Sequence, residues 1–238
     1  MDDEFLDIQI QETDDIGARM VLLSAIGFWP QFENYRDRQI WLTWLERLQL
    51  LDIATDAELA LLRRRCGPTD EDADISSRAF DALWALAWSV RLHDESGISL
   101  GTEALGELID GLPTPTEPIE PFLDEIAVRT EDEIALERER AEVRNWRMAA
   151  EVALRTQSGM EATETRQAIA EVVLECSTSL AFGDVDGIDF LLGDAHVGDL
   201  ADEVLEAAMI ASEETLRALN WVCGLNDWES IQLPDEGL

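Results

Sequence analysis

Apolar residues return at intervals of three and four along almost all of this chain, and that period admits little besides α-helices. From Asn34 to Leu51 the stripe is Ile40, Trp41, Trp44, Leu45 and Leu48, one face of a helix. Ile16 to Phe28 reads as the helix before it, stopped by Pro30. Thr55 and Glu58 have capping-box spacing ahead of Leu59, Leu61 and Leu62, and Arg63-Arg64-Arg65 places cations where a helix C-terminus favours them. After an acidic loop at Gly67 to Asp72, the stretch Ser77 to Leu92 has Phe80, Leu83, Trp84, Leu86, Ala87, Trp88 and Val90 almost all round. That helix is expected near the centre of the fold. Thr130 and Glu133 repeat the capping-box spacing before a long helix over 131–157. Its Glu137, Arg138, Glu139, Arg140, Glu142 and Arg144 read as a solvated salt-bridged face, with Trp146 on the buried side. Helices over 163–182 and 200–223 complete the set, the last ended by Gly224. No stretch alternates usefully with period two. The expected fold is all-α, a single irregular bundle of about seven to nine helices, with Trp41, Trp44, Trp146 and Trp221 packed against the helix of Trp84 and Trp88.

The organisation expected is an acidic segment over 1–14, a globular domain over 15–230 and a tail over 231–238. Gly111 to Pro118, with Pro113, Pro115 and Pro118, cannot be helical. It is a possible hinge between two halves, although one core can also run across it.

Charge constrains function more than fold. The chain has no lysine, and its 52 acidic residues against 17 basic ones give a net charge of −35. Schiff-base, P-loop and kinase-type lysine chemistry are therefore excluded. The field repels nucleic-acid phosphates and anionic membranes, so neither is expected as a partner. Eight tryptophans argue for a folded protein with an acidic skin rather than a disordered acidic tail. Such a skin has two sources, proteome-wide adaptation or selection to meet a basic partner. Cys66, Cys176 and Cys223 form no C-x-x-C pair and read as reduced thiols. The acidic start Met1-Asp2-Asp3-Glu4 lacks the form of a signal peptide, and no apolar run approaches the ~18 residues that span a membrane. A cytoplasmic location is the expectation.

Three constellations invite chemistry. Arg217, Asn220 and Trp221 could line a pocket for an acidic or planar ligand, or Trp221 packs in the core while Arg217 pairs with Glu213. Arg78, Asp81, Trp84 and Trp88 lie on neighbouring turns, which suggests an internal Arg78–Asp81 bridge and leaves a polar cavity conceivable. Asp184, Asp186, Asp189, Asp194 and His196 cluster as weak candidates for a hard cation, but the EF-hand pattern fails at Ile188 and Ala195. No zinc motif, no G-x-S-x-G elbow and no glycine-rich phosphate cradle is present, and neither a metal nor a cofactor is expected.

Several segments carry a resemblance. They are Arg78-Ala79-Phe80-Asp81-Ala82-Leu83-Trp84-Ala85-Leu86-Ala87-Trp88, Arg144-Asn145-Trp146-Arg147-Met148-Ala149, Asp189 to Gly193, Ala208 to Ala211, and Leu216-Arg217-Ala218-Leu219-Asn220-Trp221-Val222-Cys223-Gly224 with the turn Asn226-Asp227-Trp228-Glu229. Over about residues 16 to 235 the chain resembles an uncharacterised bacterial family, the domain of unknown function numbered forty-two seventy-two. It departs from that family's G-K-x-Y and E-R-H-R-like runs at Gly193-Asp194-Ala195-His196 and Glu213-Glu214-Thr215-Leu216-Arg217. The resemblance implies one α-helical domain and no particular activity.

Two readings of function follow. The first is a non-enzymatic interaction module whose acidic surface meets a basic protein, as an immunity protein meets a basic toxin; mimicry of DNA would draw on the same charge. The alternative is an enzyme or small-ligand protein with a pocket around Arg78, Trp84, Arg217, Asn220 and Trp221.

Overall fold

The structure, a computed structural model, describes residues 8–32, 34–64, 69–98, 102–115, 117–179 and 182–229. Cys66 and the segment 231–238 lie outside the described residues. Nine α-helices occur among those described: α1 (Thr13–Phe28), α2 (Tyr35–Arg47), α3 (Asp56–Leu62), α4 (Asp70–Ser89), α5 (Thr102–Asp110), α6 (Glu120–Glu125), α7 (Glu131–Thr156), α8 (Gly159–Thr178) and α9 (Asp202–Val222). The chain is an all-α bundle with one small addition. Leu191–Leu192 (β1) and Ala195–His196 (β2) form an antiparallel hairpin, Leu191 opposite His196, turned through Gly193 at φ +62°. Two-residue strands are too short to show a period, so the sequence gives no sign of them.

Local chemistry sets most boundaries. The Thr55 and Thr130 capping boxes form as their spacing predicts. The acidic stretch expected as a loop is half helix, because Thr69 and Asp72 build a third box and α4 starts at Asp70. Asp70, Glu71 and Asp72 thus occupy the first turn, where the helix dipole favours carboxylates. Helix α8 begins at Gly159, ahead of the expected Thr163, and ends at Thr178, before Phe182.

Helix α1 is the most enclosed element. Ile16, Met20, Val21, Leu22, Leu23, Ala25 and Ile26 are all buried, so α1 shares the centre with the tryptophan-bearing α4. Packing runs in the order α1, α4, α9, α7. Helices α1 and α4 meet closely at Gly27, where a Cβ would lie 2.4 Å from the Phe80 ring. The main core crosses the 111–118 segment: Leu112 within it and Ile119 just after it are both buried in that core. Residues 8–12 run along the end of α9, Gln9 and Gln11 donating N–H to the carbonyls of Cys223 and Val222 at 3.1 and 2.9 Å. Gly224, at φ +67°, admits that approach, since a Cβ there would sit 2.5 Å from the Gln9 carbonyl oxygen.

A second, smaller core lies under α8 and the hairpin. It joins Met148, Val173, Cys176, Phe190, Val197, Leu205 and Ala208. Trp146 is half-buried and packs into neither core, against expectation. The buried positions of α7 are Ile134, Glu137, Ala141, Asn145, Arg147, Met148, Ala150 and Glu151, and Trp146 stays half-buried between Asn145 and Arg147.

Candidate functional site

The densest polar constellation lies where α1, α3, α4, α9 and the turn after α9 converge. Glu214, 3% exposed, is its hub. Arg78 on α4 donates to Glu214 at 3.1 Å, and Arg217, one turn further along α9, donates from Nε at 2.7 Å and from Nη2 as well. Trp228 lies between two guanidinium groups, Arg19 at 3.9 Å and Arg217 at 4.4 Å from the ring centroid, and meets Trp221 edge-on at 5.3 Å. Cations over indole faces are attracted by the ring quadrupole. Arg19 is itself tied to Glu58 at 2.8 Å and to the Ile53 carbonyl. Burial lowers its pKa to about 10, with Glu58 opposing the shift.

Asp81 takes a different part from the one expected. Arg78 turns to Glu214 and, at 3.9 Å, to Glu213, and among the described residues no cation lies within ion-pair distance of Asp81. Glu214 presents two oxygens from the facing helix, which lets it serve both Arg78 and Arg217. Burial, then the nearby Glu214, push the Asp81 carboxyl up to about 7, with Arg78 pulling the other way. Burial also raises Glu213. The network can therefore hold or release a proton near neutral pH, and it clamps the Trp228 turn onto α9.

The predicted pocket residues are only partly gathered. Arg78, Arg217 and Trp221 belong to this network. Asn220 is drawn to α7 instead and accepts from Arg138 Nε at 2.8 Å. Trp84 stacks on His93 at 3.7 Å between centroids, on a different turn of α4. Arg217 pairs with Glu214 rather than Glu213. Sequence reasoning missed Glu214, Arg19 and Glu58 as members; the available signal was a lone arginine, Arg19, inside the wholly apolar run of α1.

Three of the four aspartates considered for a cation, Asp184, Asp186 and Asp189, each have a different partner. Asp184 accepts from Arg144 at 2.6 Å. Asp186 accepts from His196 at 2.8 Å and from the Ile188 amide at 2.9 Å; these contacts hold its pKa at about 2, the His196 bond foremost. Asp189, 6% exposed, takes a two-pronged fork from Arg147 at 2.7 and 2.7 Å, plus the Phe190 and Gly198 amides. No group of three metal-ligating side chains occurs among the described residues. The α7 face expected to be solvated is so at Glu139, which is exposed, but not at Glu137. Glu137 is 1% exposed and receives Arg140 and Arg144, and Gly97 of the 96–98 loop lies against the Arg144 guanidinium. A cleft of about 360 Å³ remains there, lined by Arg140, Arg144, Asp184, Met148, Phe190 and Gly97 among others.

Arginines of the described fold are mostly engaged with carboxylates inside it, which leaves the outer faces acidic. The plainest case is α8, where only Ala162, Val173 and Cys176 are buried. Its outer stripe is Met160, Glu164, Gln167, Glu171, Leu174 and Thr178, all exposed. Met160 is 76% and Leu174 66% exposed, and Ile188, 73% exposed, projects from a turn whose Gly187 abuts Ser177 near the end of α8. No described helix is long and apolar enough to cross a membrane.

Neither a curated protein nor a solved structure matches this chain. One family model does, over residues 3–169. The match contains the Arg78–Trp88 and Arg144–Ala149 segments; the Asp189–Gly193 and Leu216–Gly224 segments fall beyond its end. By that match the chain belongs to the family described as Domain of unknown function (DUF4272).

Proposed function

We propose that this protein is a non-enzymatic binding module that presents its acidic outer face, centred on α8, to a basic protein partner. The observation that carries the reading is the exposed α8 stripe, in which Glu164 and Glu171 are interleaved with Met160 and Leu174. An apolar side chain desolvated at the centre of a contact supplies binding energy, and surrounding charge supplies steering and register. A net charge of −35 accelerates encounter with a cation-rich surface. An immunity-type protein that captures a basic toxin is one arrangement of this kind.

The test is titration with a basic amphipathic helical peptide of arginine and leucine, against wild type and a Glu164→Gln, Glu171→Gln, Glu175→Gln variant. Wild type should bind with an affinity that falls steeply as salt rises, and the variant should bind about tenfold more weakly. Equal binding by both proteins refutes an α8-centred interface. A Leu174→Ala variant separates the two contributions, since loss of its buried contact slows association little but speeds dissociation.

A further inference from the structure

One groove has the opposite character to the rest of the surface. Helix α2 and Pro115 enclose a surface groove of about 390 Å³, lined by Arg36, Gln39, Ile40, Thr43, Trp44, Arg47 and Pro115. Arg36, Ile40, Thr43 and Arg47 follow helical spacing, so they share one face of α2; the two arginines lie about 16 Å apart along the axis. In a chain with three carboxylates for every arginine, both would be expected to find acidic partners. Neither does: among the described residues no carboxylate lies within ion-pair distance of Arg36 or Arg47. The nearby acids are differently placed, since Asp37 is held by Asn34 and Arg38, the third cation of α2, binds the Phe32 carbonyl on the opposite side.

A second observation agrees with the first. Trp44, 3% exposed, also lines the groove, and its indole Nε1–H has no acceptor. A buried donor without a partner is costly, and so is uncommon. Among the described residues the groove is therefore lined by two guanidinium groups and no carboxylate, over an indole N–H that has no acceptor. Between the two cations its wall is mostly apolar, formed by Ile40, 47% exposed, and Trp44 with Gln39 and Thr43 beside them.

The geometry points to a binding site for an acidic peptide segment, with two carboxylates about four residues apart reaching Arg36 and Arg47 and an apolar side chain between them over Ile40 and Trp44. Four extended residues span about 13 Å, and the reach of the long arginine side chains covers the remainder. Arginine suits this role because its fork matches a carboxylate bidentately. A nucleic acid fits poorly, since its continuous phosphates would meet an apolar wall between the cations and the repulsion of the whole chain. At about 0.15 M salt the Debye length is about 8 Å, so the remote negative charge is largely screened from a ligand in the groove. This site goes beyond the α8 reading and is of opposite sign, so the two stand or fall separately.

The experiment titrates the intact protein with acetyl-Glu-Leu-Phe-Leu-Glu amide at about 0.15 M salt, following affinity and the Trp44 indole N–H resonance. The glutamine version of the peptide is the control. The expected results are a shift of the Trp44 resonance, about tenfold weaker binding for Arg36→Ala and for Arg47→Ala, and no binding by the glutamine peptide. Both arginines are exposed, so their loss leaves the fold intact. The α8 glutamine variant should bind the acidic peptide as well as wild type does. The inference is overturned if the peptide does not bind, if the glutamine peptide binds equally, or if both arginine variants keep full affinity.

Discussion

The two cores of this molecule are built on different physics. The main core is a continuous apolar mass around α1, α4 and α9, and the ion pair Arg19–Glu58 sits at its edge beneath Trp228. The smaller core under α8 and the hairpin has few buried apolar side chains, and a buried arginine stands in its middle. Arg147 joins α7 to the hairpin through Asp189 and also binds Glu151 on its own helix. Where little apolar area is available, the network fixes geometry and the contacts around it exclude water. A buried pair of this kind adds modest net stability while intact, yet is damaging when halved.

The sharpest way to break the comparison is Arg147→Ala. It leaves Asp189 buried without a cation and Glu151 with Arg155 alone, so a loss of about 3–5 kcal/mol is expected. Hydrogen exchange should show it first in 182–205. Adding Asp189→Leu should not restore stability, because the Phe190 and Gly198 amides then lose their acceptor. In the main core, Leu22→Ala should cost about 2–5 kcal/mol by opening a cavity. Here denaturant melts should show loss of the whole fold and raised exchange throughout α1, α4 and α9. If both substitutions open the same set of amides, the two cores are one cooperative unit and the contrast fails.

Acid separates the regions by sign. Asp81 has a raised folded pKa of about 7. Its contribution is greatest below the ordinary aspartate value and is lost as pH rises from about 4 to 7. Asp81→Asn should therefore stabilise the protein at pH 8 by on the order of 2 kcal/mol and flatten that slope. Asp189 behaves oppositely. Burial pushes its pKa up, but the Arg147 fork and the amides outweigh it and hold the value below that of free aspartate. Its stabilisation is full above the unfolded value and is lost as pH falls through the folded one. Equilibrium melts taken from pH 8 to below the ordinary aspartate value of about 3.9 should show the lobe loosening at the acid end, where the Asp81 contribution is greatest. The smallest effect expected is that of Arg91→Ala. Arg91 and Glu133 are both substantially exposed, so the change should stay within about 0.5 kcal/mol.

Legibility in the sequence follows the same division. The helices of the main core were readable because their evidence is local: apolar spacing, threonine capping boxes, and prolines that deny a helix. The small lobe was not, since a hairpin of two-residue strands and an arginine bridged across 42 positions of sequence leave no periodic trace. Trp146 shows that size does not ensure burial, since it is half-buried while Ala141 and Asn145 of the same helix are buried. In the candidate site, Arg78, Arg217 and Trp221 were found because charge and aromaticity on facing helices attract attention. Glu214 was hidden among many carboxylates, and only the packing of α4 on α9 distinguishes it from Glu213. The cationic groove of α2 was equally hidden, because its meaning lies in carboxylates that are not there.

The most direct test of the account is affinity capture from lysate of the source organism at low and high salt, with wild type and the α8 glutamine variant immobilised in parallel. The account predicts one basic protein retained by wild type at low salt, released at high salt and depleted on the variant. Retention of the same proteins by wild type and variant, or of none above background at either salt, would contradict it.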